Sequence, residues 1–383
     1  MDRPSNNNNL IRFLVISDLH VEIDKPNSKD SRLIFEGDES EFGTSFIEYA
    51  KHVAGNINAL ICTGDISNKA DTSSFKKGWV FLNTLKKELS IPDLLCVPGN
   101  HDHQSRATSG VFDPKHHLQF ISPSFPFNSA EKNTQFWAWN WCYSQFSKDE
   151  YNVISLNTSA YHGYGDEWCH GRLATESTDQ IDSFIRSEEF SKKKFNVLIC
   201  HHHPEKMDFV DRDYDSEAME GGSYLLRSIC EANQGPWLIV HGHKHFADIS
   251  YSKSSGSSAP TIFSAGSLSA KLYPSIKKRT SNQFYVIEID LKKTDEEDRL
   301  VGTFEAHEWS ISHGWKPSMS EHLPAKGGFG STYPPKKVAR EIIGLLDIDT
   351  PFLDIVDLKK FEEKLRFFTP TDLKHLINYI EQE

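Results

Sequence analysis

Nothing in the 383 residues approaches 18 consecutive apolar positions, the length at which a membrane-spanning helix becomes a candidate. The opening stretch, MDRPSNNNNLIRFLVIS, sets asparagines where a secretory leader needs an apolar core. Both absences lead to the expectation of a soluble, cytoplasmic protein with no membrane contact. Cysteine is sparse and scattered: Cys62, Cys96, Cys142, Cys169, Cys200 and Cys230 form no CxxC pair. That argues against a disulfide framework and for a reducing compartment. Positive charge is also in deficit, with 42 Lys and Arg against 54 Asp and Glu and a net charge of −12. The overall basic footprint of a dedicated nucleic-acid binder is therefore missing, although a local basic groove fits within that average. There is no internal repeat, no heptad run and no glycine-rich phosphate loop.

What is present is a globular composition. Hydrophobic residues make up 38% and aromatic residues 12%, with 25 Phe and 8 Trp, more than a disordered chain carries. The length suits one large α/β domain with elaborations, or two smaller ones. The most informative pattern is a short run rich in Ile, Val and Leu that ends abruptly in polar residues. FLVIS runs into Asp18-Leu19-His20, and ALICT into Gly64-Asp65. LLCV leads through Pro98 into Gly99-Asn100-His101-Asp102, NVLIC into His201-His202-His203-Pro204, and WLIV into His241-Gly242-His243-Lys244-His245. Apolar runs with little alternation read as strands covered on both faces. In open α/β sheets, ligands collect beyond the carboxyl ends of such strands.

Helical spacing places Phe75, Trp79, Leu82 and Leu85 on one face of 72–88, and Ile181, Phe184 and Ile185 on one face of 175–186. Further strands are expected in TIFSAGSLS, QFYVIEIDL and GTFEAHEWSIS. Residues 104–150 read as an aromatic-rich insertion over the strand ends, in which the alternating Trp137, Trp139 and Trp141 pack on one face of the core. The domain reading is a body at 1–332 and a helical appendage at 333–383, with a helix start at Thr369-Pro370. Seven apolar residues of this appendage, Ile342, Ile343, Leu345, Phe352, Leu365, Phe367 and Phe368, either pack back on the body or recruit a protein partner.

Taken singly, Asp-x-His and Gly-Asp are common surface features. As an ordered set, D-L-H, G-D, G-N-H-D, H with proline two residues on, and G-H-K-H resemble the motifs of the calcineurin-like metallophosphoesterase superfamily. They span residues 18–245. The resemblance implies a layered α/β/β/α sandwich, here with the helical appendage, and two divalent transition-metal ions. Asp18, His20, Asp65 and His245 would hold the first ion; Asp65, Asn100, His202 and His243 would hold the second. Only one histidine of HHHP is expected to serve, and the proline spacing favours His202 over His201. Mixed oxygen and nitrogen donors suit manganese, iron, zinc or nickel, with manganese the first choice. His241 falls outside the motif, as either a support to the site or a structural residue.

In that family the histidine of G-N-H-D faces the substrate, which makes His101 the residue for proton transfer to the leaving oxygen, with Asp102 to orient it. Some members place an aspartate three residues after the bridging one to support this histidine; here Asn68 stands there. The substrate implied is a phosphoester. GRLATESTDQIDSFI, ahead of NVLICHHHP, resembles the cyclic-nucleotide phosphodiesterase-like branch, and GDISN lacks the G-D-x-x-D-R-G of serine/threonine protein phosphatases. The expectation is therefore a hydrolase of small phosphodiesters of the nucleotide type. A DNA or RNA nuclease is the second reading, and a partner-binding scaffold with a vestigial site the third.

Overall fold

The computed structural model describes residues 9–104, 113–145, 150–163, 170–207, 218–253, 259–346 and 352–382. Within them the strands are β1 (Leu10–Ile16), β2 (Glu22–Ile23), β3 (Ile34–Phe35), β4 (Ala59–Cys62), β5 (Asp93–Cys96), β6 (Trp141–Gln145), β7 (Tyr151–Leu156) and β8 (Phe195–Ile199). There follow β9 (Trp237–His241), β10 (Asp248–Tyr251), β11 (Thr261–Ser264), β12 (Asn282–Asp290), β13 (Gly302–Ser310), β14 (Gly314–Pro317) and β15 (Lys326–Phe329). Two sheets result. One runs β14-β13-β12-β1-β4-β5 with β15 on β13, and the other runs β10-β11-β9-β8-β7-β6. β1, β4 and β5 are mutually parallel, as are β7, β8, β9 and β11.

The sheets face each other, and strand alternation divides their side chains between two layers. On β12, Tyr285 meets Phe263 of the opposite sheet at 4.9 Å between ring centroids, while its neighbour Phe284 meets Phe46 of the helix Glu41–Val53 at 5.1 Å. Phe13 of β1 sets its edge on Tyr151 at 5.3 Å across the same interface. The helix Thr72–Glu88 joins Glu41–Val53 outside the first sheet; Asp71 caps it by accepting from Ser74 N at 2.6 Å, and Phe75, Trp79, Leu82 and Leu85 are all buried. The helices Thr175–Ile185 and Gly222–Ala232 cover the second sheet through Ile181, Ile185, Leu225 and Ile229. The order is helix, sheet, sheet, helix.

The aromatic insertion differs from the sequence expectation. The helix Ala130–Trp139 ends at Asn140, which is left-handed at φ 64°, and β6 begins at Trp141. The chain thus changes period between the tryptophans. Trp137 packs against Phe136 and Phe125, and through Phe125 against Phe75 and Trp79 of the helix Thr72–Glu88; Trp141 packs against Phe184 on the outer face of the second sheet, and Trp139 is half exposed. TIFSAGSLS is a strand only through Ser264; beyond it the segment crosses under the β1 loop, where Ser267 Oγ donates to Asp18 O at 2.6 Å and Ser269 Oγ donates to Leu19 O.

The carboxyl-terminal helices make a small core of their own from Val338, Ile342, Phe361, Phe368 and Leu376. Backbone bonds tie this unit to the edge strand β15: Gly328 N donates to Phe368 O and Ser331 N donates to Phe367 O, both at 3.1 Å. Ile342, Phe367 and Phe368 are buried, whereas Phe352 is 85% exposed. Among the described residues no helix is long and apolar enough to cross a membrane. Cys62, Cys96, Cys142 and Cys200 are buried free thiols, and Cys169 lies outside the described residues.

Candidate metal centre

Asp18 and His20 follow β1, Asp65 follows β4, Asn100 and His101 follow β5, His201 and His202 follow β8, and His243 and His245 follow β9. All nine therefore lie beyond the carboxyl ends of parallel strands from two facing sheets, which brings the loops to one edge of the sandwich. The backbone is bent hard to turn them inward. Asp18, His20, Asp65, His243 and His245 have φ of 51°, 48°, 52°, 75° and 55°, a region that residues with a Cβ rarely enter. Each such position costs about 1–3 kcal/mol and persists only where the surroundings impose it. Gly99 is needed for close approach: a Cβ there would meet Asp65 Oδ1 and the Asp65 backbone nitrogen.

Two groups of donor atoms result. In the first, Asp18, His20, Asp65 and His245 bring one donor each within 4.8 Å of one another. His20 Nε2 lies 3.2 Å from His245 Nε2 and 3.5 Å from Asp65 Oδ2, and His245 Nε2 lies 3.3 Å from Asp18 Oδ1. In the second, His201 Nε2 and His243 Nδ1 lie 3.0 and 3.1 Å from Asn100 Oδ1. His201 Nε2 is also 3.4 Å from Asp65 Oδ1. Asp65 thus turns one oxygen to each group. Burial alone would raise its carboxyl, but the surrounding imidazoles, His201 foremost, hold it well below the ordinary range. Asp18 is likewise lowered, by His245 against the cost of burial.

These atoms fit cations. His201 Nδ1 sits 2.7 Å from Thr63 O, and a carbonyl only accepts, so the ring proton belongs at Nδ1. Nε2 then faces two oxygen acceptors, Asn100 Oδ1 and Asp65 Oδ1, and although burial lowers the imidazole, the Asp65 charge raises it to about 9, so that without a cation Nε2 holds a proton. A cluster in which a proton stands between an imidazole nitrogen and amide and carboxylate oxygens becomes a ligand set when a positive ion replaces that proton. Hydroxyls behind the site brace it: Ser17 Oγ donates to Asp18 Oδ2 and Thr63 Oγ1 donates to Ser17 Oγ, both at 2.6 Å. Neither hydroxyl was legible as a site residue, because a Ser or Thr at a strand end carries no spacing signal.

His202 is placed differently from His201. Its Nδ1 meets Thr158 Oγ1 at 2.8 Å, its ring stacks on His162 at 5.2 Å, and its Nε2 is buried without a hydrogen bond. It remains within 4.8 Å of the His201 and His243 donors. Burial, then His201, pushes its pKa well down. Gly171 of the GRL segment lies directly behind this ring, where a Cβ would meet His202 Cβ and Cγ.

His101 is half buried at the mouth. Its backbone N–H donates to Asp65 Oδ1 at 2.7 Å, and its ring stands edge-on to His20 at 4.6 Å. Asp102 turns inward and accepts from Ser67 N at 2.7 Å, Gly99 N at 2.9 Å, Ser67 Oγ at 3.0 Å and Ile66 N at 3.1 Å. Burial, then the Asp65 charge, raises it to about 7 against those donors. It pins the β4 loop to the β5 loop, so its bonds reach the backbone around His101. Asn68 bonds Glu22 Oε1 and Asp30 Oδ2, at 3.0 and 3.2 Å. His241 is buried one turn behind the site with Nδ1 on Gly242 O at 3.2 Å, and burial, then His203, lowers it to about 3. Lys244 is buried as well.

The sequence model of a family described as calcineurin-like phosphoesterase matches residues 11–247. No curated protein matches the chain. Among solved structures, the purple acid phosphatase PPD1 from yellow lupin (Lupinus luteus) seeds aligns at a TM-score of 0.50 and 12% identity, over 80% of this chain and 53% of that one. A dimetal phosphatase from Danio rerio aligns at 0.46 and 12% identity, over 73% of this chain and 94% of that one. At such identity the lupin match speaks for the fold alone.

Proposed function

Because the chain belongs to the calcineurin-like phosphoesterase family, and is thereby a metal-dependent hydrolase of phosphate esters, we propose that it cleaves small phosphodiesters of the nucleotide type at a two-metal centre bridged by Asp65. The observation that carries the two-metal reading is the division of Asp65: Oδ2 faces His20 at 3.5 Å and Oδ1 faces His201 at 3.4 Å. Asp18, His20, Asp65 and His245 would hold the first ion. Asp65, Asn100, His243 and His201 would hold the second, His201 standing in this proposal where the proline spacing favoured His202, whose donor lies in the same group. The contacts of His201 with Asn100 and Asp65 support that exchange. When bound, such ions would neutralise phosphoryl oxygens and bring the pKa of water down toward neutrality.

The remaining work falls to side chains of this chain. His101 stands at the open side of the cradle with its backbone fixed on Asp65, and its imidazole delivers a proton to the leaving oxygen. Asp102 acts through the backbone, holding the two loops that carry Asp65, Asn100 and His101 in one register. Preference for small diesters is supported by Gly171-Arg172-Leu173, which packs behind His202 with Leu173 in the outer core. The net charge of −12 opposes a polyanionic substrate. Manganese remains the first candidate metal on donor type, and the cytoplasm the proposed compartment.

The test is a panel of bis-p-nitrophenyl phosphate, p-nitrophenyl phosphate, cyclic nucleotides and short DNA, assayed with manganese, nickel, zinc and iron. Faster turnover of the bis ester than of the monoester supports the proposal. A monoester rate far above it reverses the preference. DNA cleavage that falls steeply with salt replaces this reading by the nuclease, since contacts to several phosphates release counterions.

A further inference from the structure

A cavity of about 240 Å³ lies behind the metal-binding loops, between the β10 and β11 edge of the second sheet and the start of the helix Pro370–Gln382. Its lining includes His241, which the phosphoesterase reading leaves without a task. The His241 side chain is more than nine-tenths buried. Its Nδ1 faces Gly242 O at 3.2 Å; since a carbonyl only accepts, the proton sits at Nδ1. Nε2 is then left as an acceptor, and no hydrogen bond joins it to another described residue.

The rest of the cavity defines what would meet it. Met207, Ile262 and the Tyr251 ring supply apolar wall. The charged lining comprises Glu205, Asp248 and Asp372 against Lys206 and Lys253, so acid outnumbers base. Glu205 accepts from Ser252 Oγ at 2.5 Å and from Lys253 N at 3.1 Å, and Asp372 accepts from Thr369 N at 3.1 Å. A phosphate is disfavoured there. The volume falls below the roughly 300–1,000 Å³ of pockets for drug-sized ligands. Apolar walls, one deep nitrogen acceptor and carboxylates at the edge match a flat ring with N–H donors and hydroxyls at its rim.

We propose that this cavity is a second ligand site, distinct from the metal centre, for a neutral planar N–H-bearing heterocycle of the nucleoside type, with Nε2 of the buried His241 side chain as the acceptor. The appendage supplies one wall through Thr369, Thr371 and Asp372, so the site exists only with the carboxyl-terminal helices in place. This proposal does not depend on which phosphoester the metal centre hydrolyses.

The experiment is calorimetric titration of the full chain, metal-loaded and chelator-treated, with adenosine, uridine and AMP. One nucleoside should bind per chain, equally with and without metal, and more tightly than AMP. His241→Leu should weaken it at least tenfold. Thr371→Trp, at an exposed helix position that tolerates a large ring, should occlude the cavity and abolish binding even if His241→Leu folds poorly. Absence of nucleoside binding overturns the site, as does binding that survives Thr371→Trp or is lost with Asp65→Asn. Tighter binding of AMP overturns its neutral character.

Discussion

Asp65 answers to two neighbours at once, with one oxygen toward His20 and the other toward His201. Asp65→Asn leaves one oxygen and removes the charge, so both ions should be lost or held weakly. Metal content by plasma mass spectrometry should fall well below two per chain, and turnover should drop by at least roughly 10²-fold, the scale of removing one essential electrostatic group. Full metal content and activity in that variant would sink the bridged centre. His101→Asn should keep near-normal metal content while kcat falls by about 10²–10⁴-fold. The p-nitrophenyl esters should suffer least, because their leaving group departs without a proton. The two adjacent histidines separate by the same measurement. His201→Asn should lose the second ion and recover partly at high manganese, whereas His202→Asn should retain more metal; the reverse order returns the ligand role to His202.

At the scale of elements, the helix Thr72–Glu88 was legible to the residue, because an N-cap aspartate and an apolar face at helical spacing coincide with its burial. The tryptophan triplet was not, because one αL residue at Asn140 converts helix to strand between the second and third rings. Loops that hold a site behave differently from helices that cover a core. Asp71→Ala removes a cap and should lower stability by about 1 kcal/mol in urea unfolding with metal content unchanged. Gly99→Ala brings a methyl onto Asp65 Oδ1, so the β4 or β5 loop must move. Its metal affinity should fall by tenfold or more in competition with a chromophoric chelator. An unchanged affinity would show that these loops yield more readily than their packing suggests.

Across the whole molecule, the metal centre joins both sheets: β1, β4 and β5 of the first, β8 and β9 of the second. Ions bound there act on the native state and not on the unfolded chain, so they stabilise the assembled sandwich by about 2.7 kcal/mol per site at a hundredfold excess over Kd. Removing them leaves Asp18 and Asp65 buried among imidazoles without their cations. Chelation should therefore lower Tm by several degrees in differential scanning fluorimetry, and manganese should restore it. A Tm indifferent to chelator would mean that the centre is not filled in the folded protein.

The five apolar runs, the ligand types that end them and their order along the chain follow from local composition, so the layered class and most of the centre were visible before any tertiary contact was considered. Each strand carries its own loop chemistry, and parallel strands bring those loops to one edge. Where each of two adjacent histidines aims its ring is different. Thr63 O holds His201 Nδ1 and so aims its Nε2 at Asp65 and Asn100, while Thr158 Oγ1 holds His202 Nδ1 and leaves its Nε2 among the His201 and His243 donors. Thr63 and Thr158 lie far from both in sequence. The same holds for Asp102, whose partners come from the β4 loop, and for Asn68, which pairs with Glu22 and Asp30. Residue type and period are local and the sequence displays them. The direction of a side chain at a loop apex is set by whichever distant backbone or hydroxyl packs against it, and only the assembled sandwich supplies that partner.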